Sequence, residues 1–269
     1  GGDAARVGPD DLLARHVTDL LRSHTNVVVE GVAGSGKSHL FRKLSTDLFP
    51  KRTELLVFHP STSYEDFVVG LRPVGTNFEA VEGAFLRQAD LAVKNPEERL
   101  LFIDEINRAN TARVMGDLML PLEKSKRVSR EDLQKLAGRG IRSAVLSDAE
   151  LAIARDLVPG LVAVRLQTDL KREYRHLIVP ENLLVLGTMN STDRSVGTID
   201  LALRRRFFWH SVEPLQGAQL RAALQADGAS ESRLDELAAV IRWHDLTNQR
   251  LLAGVGPDAR LGHSYFFGS

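Results

Sequence analysis

Apolar residues along this chain switch between two spacings. From Pro9 to His24 ("PDDLLARHVTDLLRSH"), Leu12, Leu13, Val17, Leu20 and Leu21 share one face at helical spacing, with acidic residues at the start. The unbroken run "NVVVEG" then predicts a short buried strand, and "GKSHLFRKLSTDLF" returns to helical spacing with Leu40, Phe41, Leu44 and Leu48 turned inward. "TELLVF", "ERLLFIDE", "LLVLGTMN" and "FFWHSVEP" predict four more strands, the last ended by Pro214. Strands that are apolar on both faces and interleaved with helices mean a parallel sheet covered on both sides. After Pro214 only helical patterns remain, "QLRAALQA" and "SRLDELAAVIRWHDLTNQRLL". The fold class is therefore α/β. A core with a parallel five-stranded sheet is expected over 1–213 and a small α-helical lid over 214–269, with truncation at Ser269 left open. One segment, about 128–160, interrupts that plan. Ser129 with Asp132 and Ser147 with Glu150 each signal the start of a short helix, so a helical insertion is expected there.

Composition narrows the class without choosing a function. The 269 residues suffice for one large domain, or for a large and a small one. Thirty-five basic and thirty-five acidic side chains cancel, so no global charge argues for a nucleic-acid partner. The absence of cysteine excludes disulfides, thiolate metal sites and a cysteine nucleophile. With no apolar run of about 18 residues and no signal peptide, a cytoplasmic protein without a membrane partner is the default. Gly1–Gly2 reads as a cloning scar or an internal cut, which leaves the true N-terminus open.

Chemistry enters at "GVAGSGKS", residues Gly31, Val32, Ala33, Gly34, Ser35, Gly36, Lys37 and Ser38. The pattern G-x-x-x-x-G-K-S lies between a predicted strand and a predicted helix, as a phosphate loop requires. Its glycines let backbone N–H groups turn toward phosphate oxygens, and the next helix presents its positive end. Lys37 supplies a point charge to the β and γ oxygens, and Ser38 a hydroxyl to Mg²⁺. "LLFIDE" ends an apolar strand in two carboxylates, at the end of a parallel sheet where ligands bind. Asp104 is placed to hold Mg²⁺ and Glu105 to orient and deprotonate a water.

Phosphoryl transfer is positioning plus charge neutralisation, so donors beyond Lys37 are needed. Asn190, at the tip of "LLVLGTMN", can hold the water or the γ-phosphate. Arg204, Arg205 and Arg206 follow a short helix. They are badly placed to reach their own nucleotide and well placed to reach a neighbour's, with Arg205 or Arg206 the candidate finger and Arg204 the structural member. A solvated surface run is an equal alternative for three arginines in isolation.

This order of motifs resembles the AAA+ superfamily of P-loop NTPases: Walker A, Walker B with Glu, sensor-1 Asn, arginine finger, helical lid. "FHPSTSYEDFVVGLRP" (58–73), "IDEINRAN" (103–110), "VPENLLVLGTMNSTDRS" (179–195), "LALRRRF" (201–207) and "LGHSYF" (261–266) narrow it to the McrB branch. That branch contains the NTPase subunit of modification-dependent restriction systems. The match runs from Asn26 to Phe267, and its Met-Asn-x-x-Asp-Arg element implies site roles for Asn190, Asp193 and Arg194. The related MoxR branch typically has Gln-Asn where this chain has Met189-Asn190. Two departures stand out: Val32-Ala33 replaces the paired prolines of many relatives, and 128–160 replaces a short hairpin.

The resemblance implies a Mg²⁺-dependent hydrolase of GTP or ATP, with GTP slightly ahead. It implies a hexameric ring with sites at subunit interfaces and a separate nuclease or other effector subunit as partner. DNA would be reached through another domain, in an anti-phage defence role. Two rivals stay open, a MoxR-like chaperone ATPase and a nucleotide-gated assembly module with little hydrolysis. Intact Lys37, Glu105 and Asn190 argue against the second. His59, Tyr64 and Asp66 belong to the family stretch, with Tyr64 read as packing. "KREYRH" (171–176) reads as an exposed hairpin arm before a nucleic-acid contact. Arg260 is a candidate for the arginine that a lid returns to the phosphates, and His263 for a structural histidine.

Overall fold

The chain alternates strands and helices as the apolar spacing dictates. The structure, a computed structural model, describes residues 9–170, 173–191 and 199–267. Helix α1 (Pro9–His24) leads to strand β1 (Asn26–Gly31), and helix α2 (Lys37–Lys43) leaves the far end of that strand. Strand β2 (Thr53–Val57) is followed by helix α3 (Tyr64–Phe67), an antiparallel hairpin of β3 (Val69–Val74) and β4 (Asn77–Glu82), and helix α4 (Ala84–Lys94). Strand β5 (Arg99–Asp104) precedes helix α5 (Thr111–Met115). Then come helix α6 (Arg130–Gly138), strand β6 (Val145–Leu146) and helix α7 (Asp148–Leu157). Strands β7 (Val164–Leu170) and β8 (Tyr174–Leu177) lead to β9 (Leu183–Asn190), helix α8 (Leu201–Arg206) and β10 (Phe208–Val212). Helices α9 (Gly217–Ala226) and α10 (Glu231–Gly254) follow.

The main sheet has five strands in the order β10-β1-β9-β5-β2, and every pair in it is parallel. Side chains alternate between its faces with period two. Val27, Val29, Leu100, Phe102, Leu184 and Leu186 pack under α1 and α2. Val28, Leu101, Ile103, Leu183 and Val185 face the opposite layer, with Phe67, Phe85, Ile106 and Val114. Burial on both faces is why these strands read as continuous apolar runs.

The expected sheet, its five strands and the helices after Pro214 are all present. Three details differ. Leu12 is 58% exposed, so the inward face of α1 starts at Leu13. The α2 helix passes into a π-helical segment at Leu44–Leu48. The inserted region is also more than helical. Ser129 and Ser147 do cap α6 and α7, accepting from the backbone N–H of Asp132 and Glu150. But β6 joins β8 and β7 in a second sheet, and the segment carries its own core around Leu136, Leu146, Ala154 and Ile178. Helices α9 and α10 pack on each other through Leu220, Leu224, Leu234 and Ile241.

Candidate nucleotide-binding site

Because the strands run parallel, β1, β5 and β9 deliver their last residues to the same edge of the sheet. In register, Gly31 lies beside Asn190, and β5 ends at Asp104 beside β9. The loop leaving Gly31 turns through Gly34 (φ +77°) and Gly36 (φ +90°), left-handed conformations that suit glycine. A cavity of about 630 Å³ opens here, lined by Gly34, Gly36, Lys37, Asp104, Glu105 and Asn190 among others.

Lys37 reaches back over the loop. Its Nζ donates to the carbonyls of Gly31 (2.8 Å) and Val32 (2.9 Å) and to Ser35 Oγ (3.4 Å). Burial lowers its pKa to about 8, against the opposing pull of Glu105 and Asp104. Asp104 accepts a hydrogen bond from Thr188 Oγ1, two residues before Asn190 on β9. The same hydroxyl receives the Glu105 N–H at 3.4 Å.

Glu105 is a non-glycine residue in the left-handed region (φ +55°, ψ +45°), a conformation that persists where surrounding structure enforces it. Asn190 Nδ2 donates to its Oε1 at 2.6 Å. Its Oε2 is buried without a hydrogen-bond partner, with Arg108 Nε at 3.6 Å. Native proteins rarely leave a carboxylate oxygen in that state, and such an atom is a ready proton acceptor. The residues fit a Mg²⁺–triphosphate: Asp104 is a hard oxygen ligand facing a lysine across a glycine cradle, and this metal completes its shell with water and phosphate oxygens.

Lys37, Asp104, Glu105 and Asn190 thus converge, with the loop Gly31–Gly36. Asp193 and Arg194 lie outside the described residues, as does the side chain of Ser38. The triple arginine does not line the cavity. Arg206 donates to Glu123 Oε1 (2.9 Å) and to the Ala202 carbonyl (2.9 Å), and Arg204 stacks over the Trp209 ring at 5.2 Å. Arg205 is exposed.

The weaker candidates take structural parts. Tyr64 is buried, and Asp66 bonds Ser63 at the start of α3 and pairs with Arg72 at 2.9 Å. His59 is exposed, with Nδ1 3.0 Å from Ser61 Oγ. In "KREYRH", Lys171 and Arg172 lie outside the described residues, while Arg175 and His176 pair with Asp148 at 3.6 and 2.6 Å. Arg260 bonds Pro257 and Glu213 and does not line the cavity. His263 Nδ1 accepts the Leu215 N–H at 2.9 Å, and burial beside His244 lowers its pKa to about 4.

Sequence reasoning missed Thr188, which reads as a strand former. The T-x-N spacing could have flagged it, since positions two apart on a strand share a face.

Compared with known proteins, residues 26–207 match the family described as AAA domain (dynein-related subfamily). The chain belongs to that family. This AAA chain is 33% identical over 247 residues to the type IV methyl-directed restriction enzyme EcoKMcrB subunit of Escherichia coli K12, covering 90% of itself and 47% of that protein. It is 26% identical over 270 residues to the type II restriction enzyme BsuMI component YdiS of Bacillus subtilis 168, covering 88% and 71%. It therefore spans about half the length of the first relative and under three quarters of the second. A putative ATPase from Cytophaga hutchinsonii superposes with a TM-score of 0.44 at 15% identity, over 82% of this chain and 51% of that one. Among the described residues, no helix is long and apolar enough to cross a membrane.

Proposed function

We propose that this AAA chain is the nucleoside-triphosphate-hydrolysing motor module of a McrB-like restriction system in the cytoplasm. It works as a ring, six-fold by resemblance, alongside a nuclease or other effector subunit, with target DNA recognised by another domain. GTP stands slightly ahead of ATP as substrate. Residues 1–213 act as the nucleotide-binding core and 214–269 as its lid. One observation carries the reading: Lys37, the adjacent Asp104 and Glu105, and Asn190, from three separate segments, face one cavity at the end of the parallel sheet.

Lys37 leaves the loop carbonyls and neutralises the β and γ oxygens, and the loop amides take the rest of that charge. Mg²⁺, held by Asp104 and Ser38, would withdraw charge from the bridging oxygen. Asn190 fixes one oxygen of Glu105 and leaves the other to a water. As the water oxygen bonds to the γ-phosphorus, its proton passes to Glu105 and the β–γ bridge breaks, leaving a nucleoside diphosphate and phosphate. Asp193 and Arg194 act at the same site near the subunit interface.

The test is Glu105→Gln with both purified nucleotides. Affinity should hold while hydrolysis falls by roughly 10²–10⁴-fold. Lys37→Ala should lose binding outright. Undiminished turnover in Glu105→Gln, or tight binding in Lys37→Ala, would overturn the assignment. Light scattering with a non-hydrolysable analogue should show assembly that the free protein lacks.

A further inference from the structure

A phosphate loop that turns N–H groups inward must turn carbonyls outward, and something must receive them. At Gly34 the receiver is a distant segment of the same chain. The backbone N–H groups of His263 and Ser264 both donate to the Gly34 carbonyl, each at 2.9 Å. Contact is close: a Cβ placed on Gly262 would lie 2.1 Å from the Ala33 oxygen and 2.5 Å from the Gly34 carbonyl carbon.

Helix α10 grips this strap through two buried polar side chains. Asn248 accepts the Leu261 N–H (2.6 Å) and returns its own amide to the Leu261 carbonyl (3.1 Å). His244 Nε2 lies within hydrogen-bond distance of the carbonyls of Leu261 (3.1 Å) and Gly262 (3.3 Å), and of Asn248 Nδ2 (3.2 Å). Asn248 is fully buried and His244 is 2% exposed. Both lie on α10, one turn apart, and both reach the strap.

We infer that the Leu261–Ser264 strap is the outer half of the phosphate site, and that His244 and Asn248 are positioning residues acting through it. The peptide unit is planar, so holding the Gly34 oxygen outward aims the Ser35 N–H to the opposite side. That N–H bonds the Val32 carbonyl at 3.2 Å in this structure and would turn to a phosphate. Seating a triphosphate and setting α10 against the loop then become one event, with reciprocal coupling. The inference rests on reading Gly31–Ser38 as a triphosphate site.

The experiment starts with the wild-type chain. A non-hydrolysable triphosphate analogue should slow hydrogen exchange at the His263 and Ser264 amides, and should leave Lys37→Ala unchanged. Gly262→Ala wedges the strap off the loop, and Asn248→Ala releases its grip. Coupled sites exchange about 5–150-fold in affinity, and each variant should lose roughly tenfold in analogue binding. Because both cut the same path, the double variant should be no weaker than the weaker single. Unchanged strap exchange in a wild-type chain that binds the analogue would overturn the coupling and leave the triphosphate site standing. A folded Gly262→Ala chain with wild-type affinity would do the same. A wild-type chain that binds no analogue would overturn both readings.

Discussion

At the carboxyl ends of the strands Lys37 faces an open cavity, while at the amino ends Arg127 is sealed among backbone carbonyls. Arg127 is buried and Lys37 half-buried, neither has a carboxylate in hydrogen-bond contact, and burial depresses the pKa of both, Lys37 to about 8 and Arg127 to about 9. Arg127 bonds the carbonyls of Leu122 (3.3 Å), Pro180 (3.2 Å) and Leu183, and Asn26 Oδ1 at 2.5 Å. Asn26 in turn donates to the carbonyls of Leu122 and Arg206. That end of the sheet is a lock in which every guanidinium nitrogen of Arg127 is bonded. The other end keeps a left-handed Glu105, an unbonded Oε2 and a lysine parked on its own loop. A buried polar cluster that satisfies itself holds a fold, whereas one that waits for an outside charge does chemistry.

Arg206 belongs to the lock, through its carbonyl on Asn26 and its pair with Glu123, which leaves Arg205 as the better candidate for acting on a neighbour. A trans arginine contributes on the order of 10³–10⁵ in rate. Arg205→Ala subunits and Glu105→Gln subunits, each nearly inactive alone, should recover partial hydrolysis when mixed. No recovery despite co-assembly would place Arg205 outside the chemistry. Arg206→Ala should instead lower stability, read by denaturant unfolding.

Next in size is the lock itself. Arg127→Met leaves several buried acceptors bare and should cost about 3–5 kcal/mol in unfolding free energy. Lys37→Ala, at the open end, should leave stability within roughly 1 kcal/mol of wild type while abolishing nucleotide binding. Equal losses of stability would break the contrast between the two ends.

The same contrast sets what was legible in the sequence. The open end was readable because each motif is a local signal: glycines and Lys37 in one loop, carboxylates and Asn190 at apolar strand tips. The lock was not, because Arg127 sits in "KSKRVSR", which reads as a solvated run. Its acceptors come from Asn26, Leu122, Pro180 and Leu183, brought together only by the fold. The β3–β4 hairpin escaped for a different reason. Its Leu71, Phe78 and Val81 are exposed, so no buried alternation marks it. The strap was visible as a family stretch, but its partner Gly34 is far away in sequence.

A smaller effect separates Thr188 from the residues it orients. Its hydroxyl donates to Asp104, and partners behind a metal ligand are worth about 10–100-fold in metal affinity. Thr188→Val should raise the Mg²⁺ concentration needed for half-maximal hydrolysis by that factor, with little change in nucleotide affinity at saturating Mg²⁺. An unaltered Mg²⁺ dependence would reduce Thr188 to a packing residue.

The smallest effect is one of pH, and it falls on the strap. Burial holds the His263 pKa near 4, below the ordinary 6.5, while Nδ1 must stay unprotonated to accept the Leu215 N–H. The unfolded chain therefore binds more protons than the folded one between those values. Stability is fully present above about pH 6.5 and is lost as pH falls toward 4. Across pH 7 to 5 this group should account for about 2 kcal/mol of the loss in unfolding free energy. His263→Asn, whose side-chain oxygen can accept the same N–H, should flatten that part of the profile. A profile as steep as wild type in His263→Asn would assign the acid sensitivity to another group.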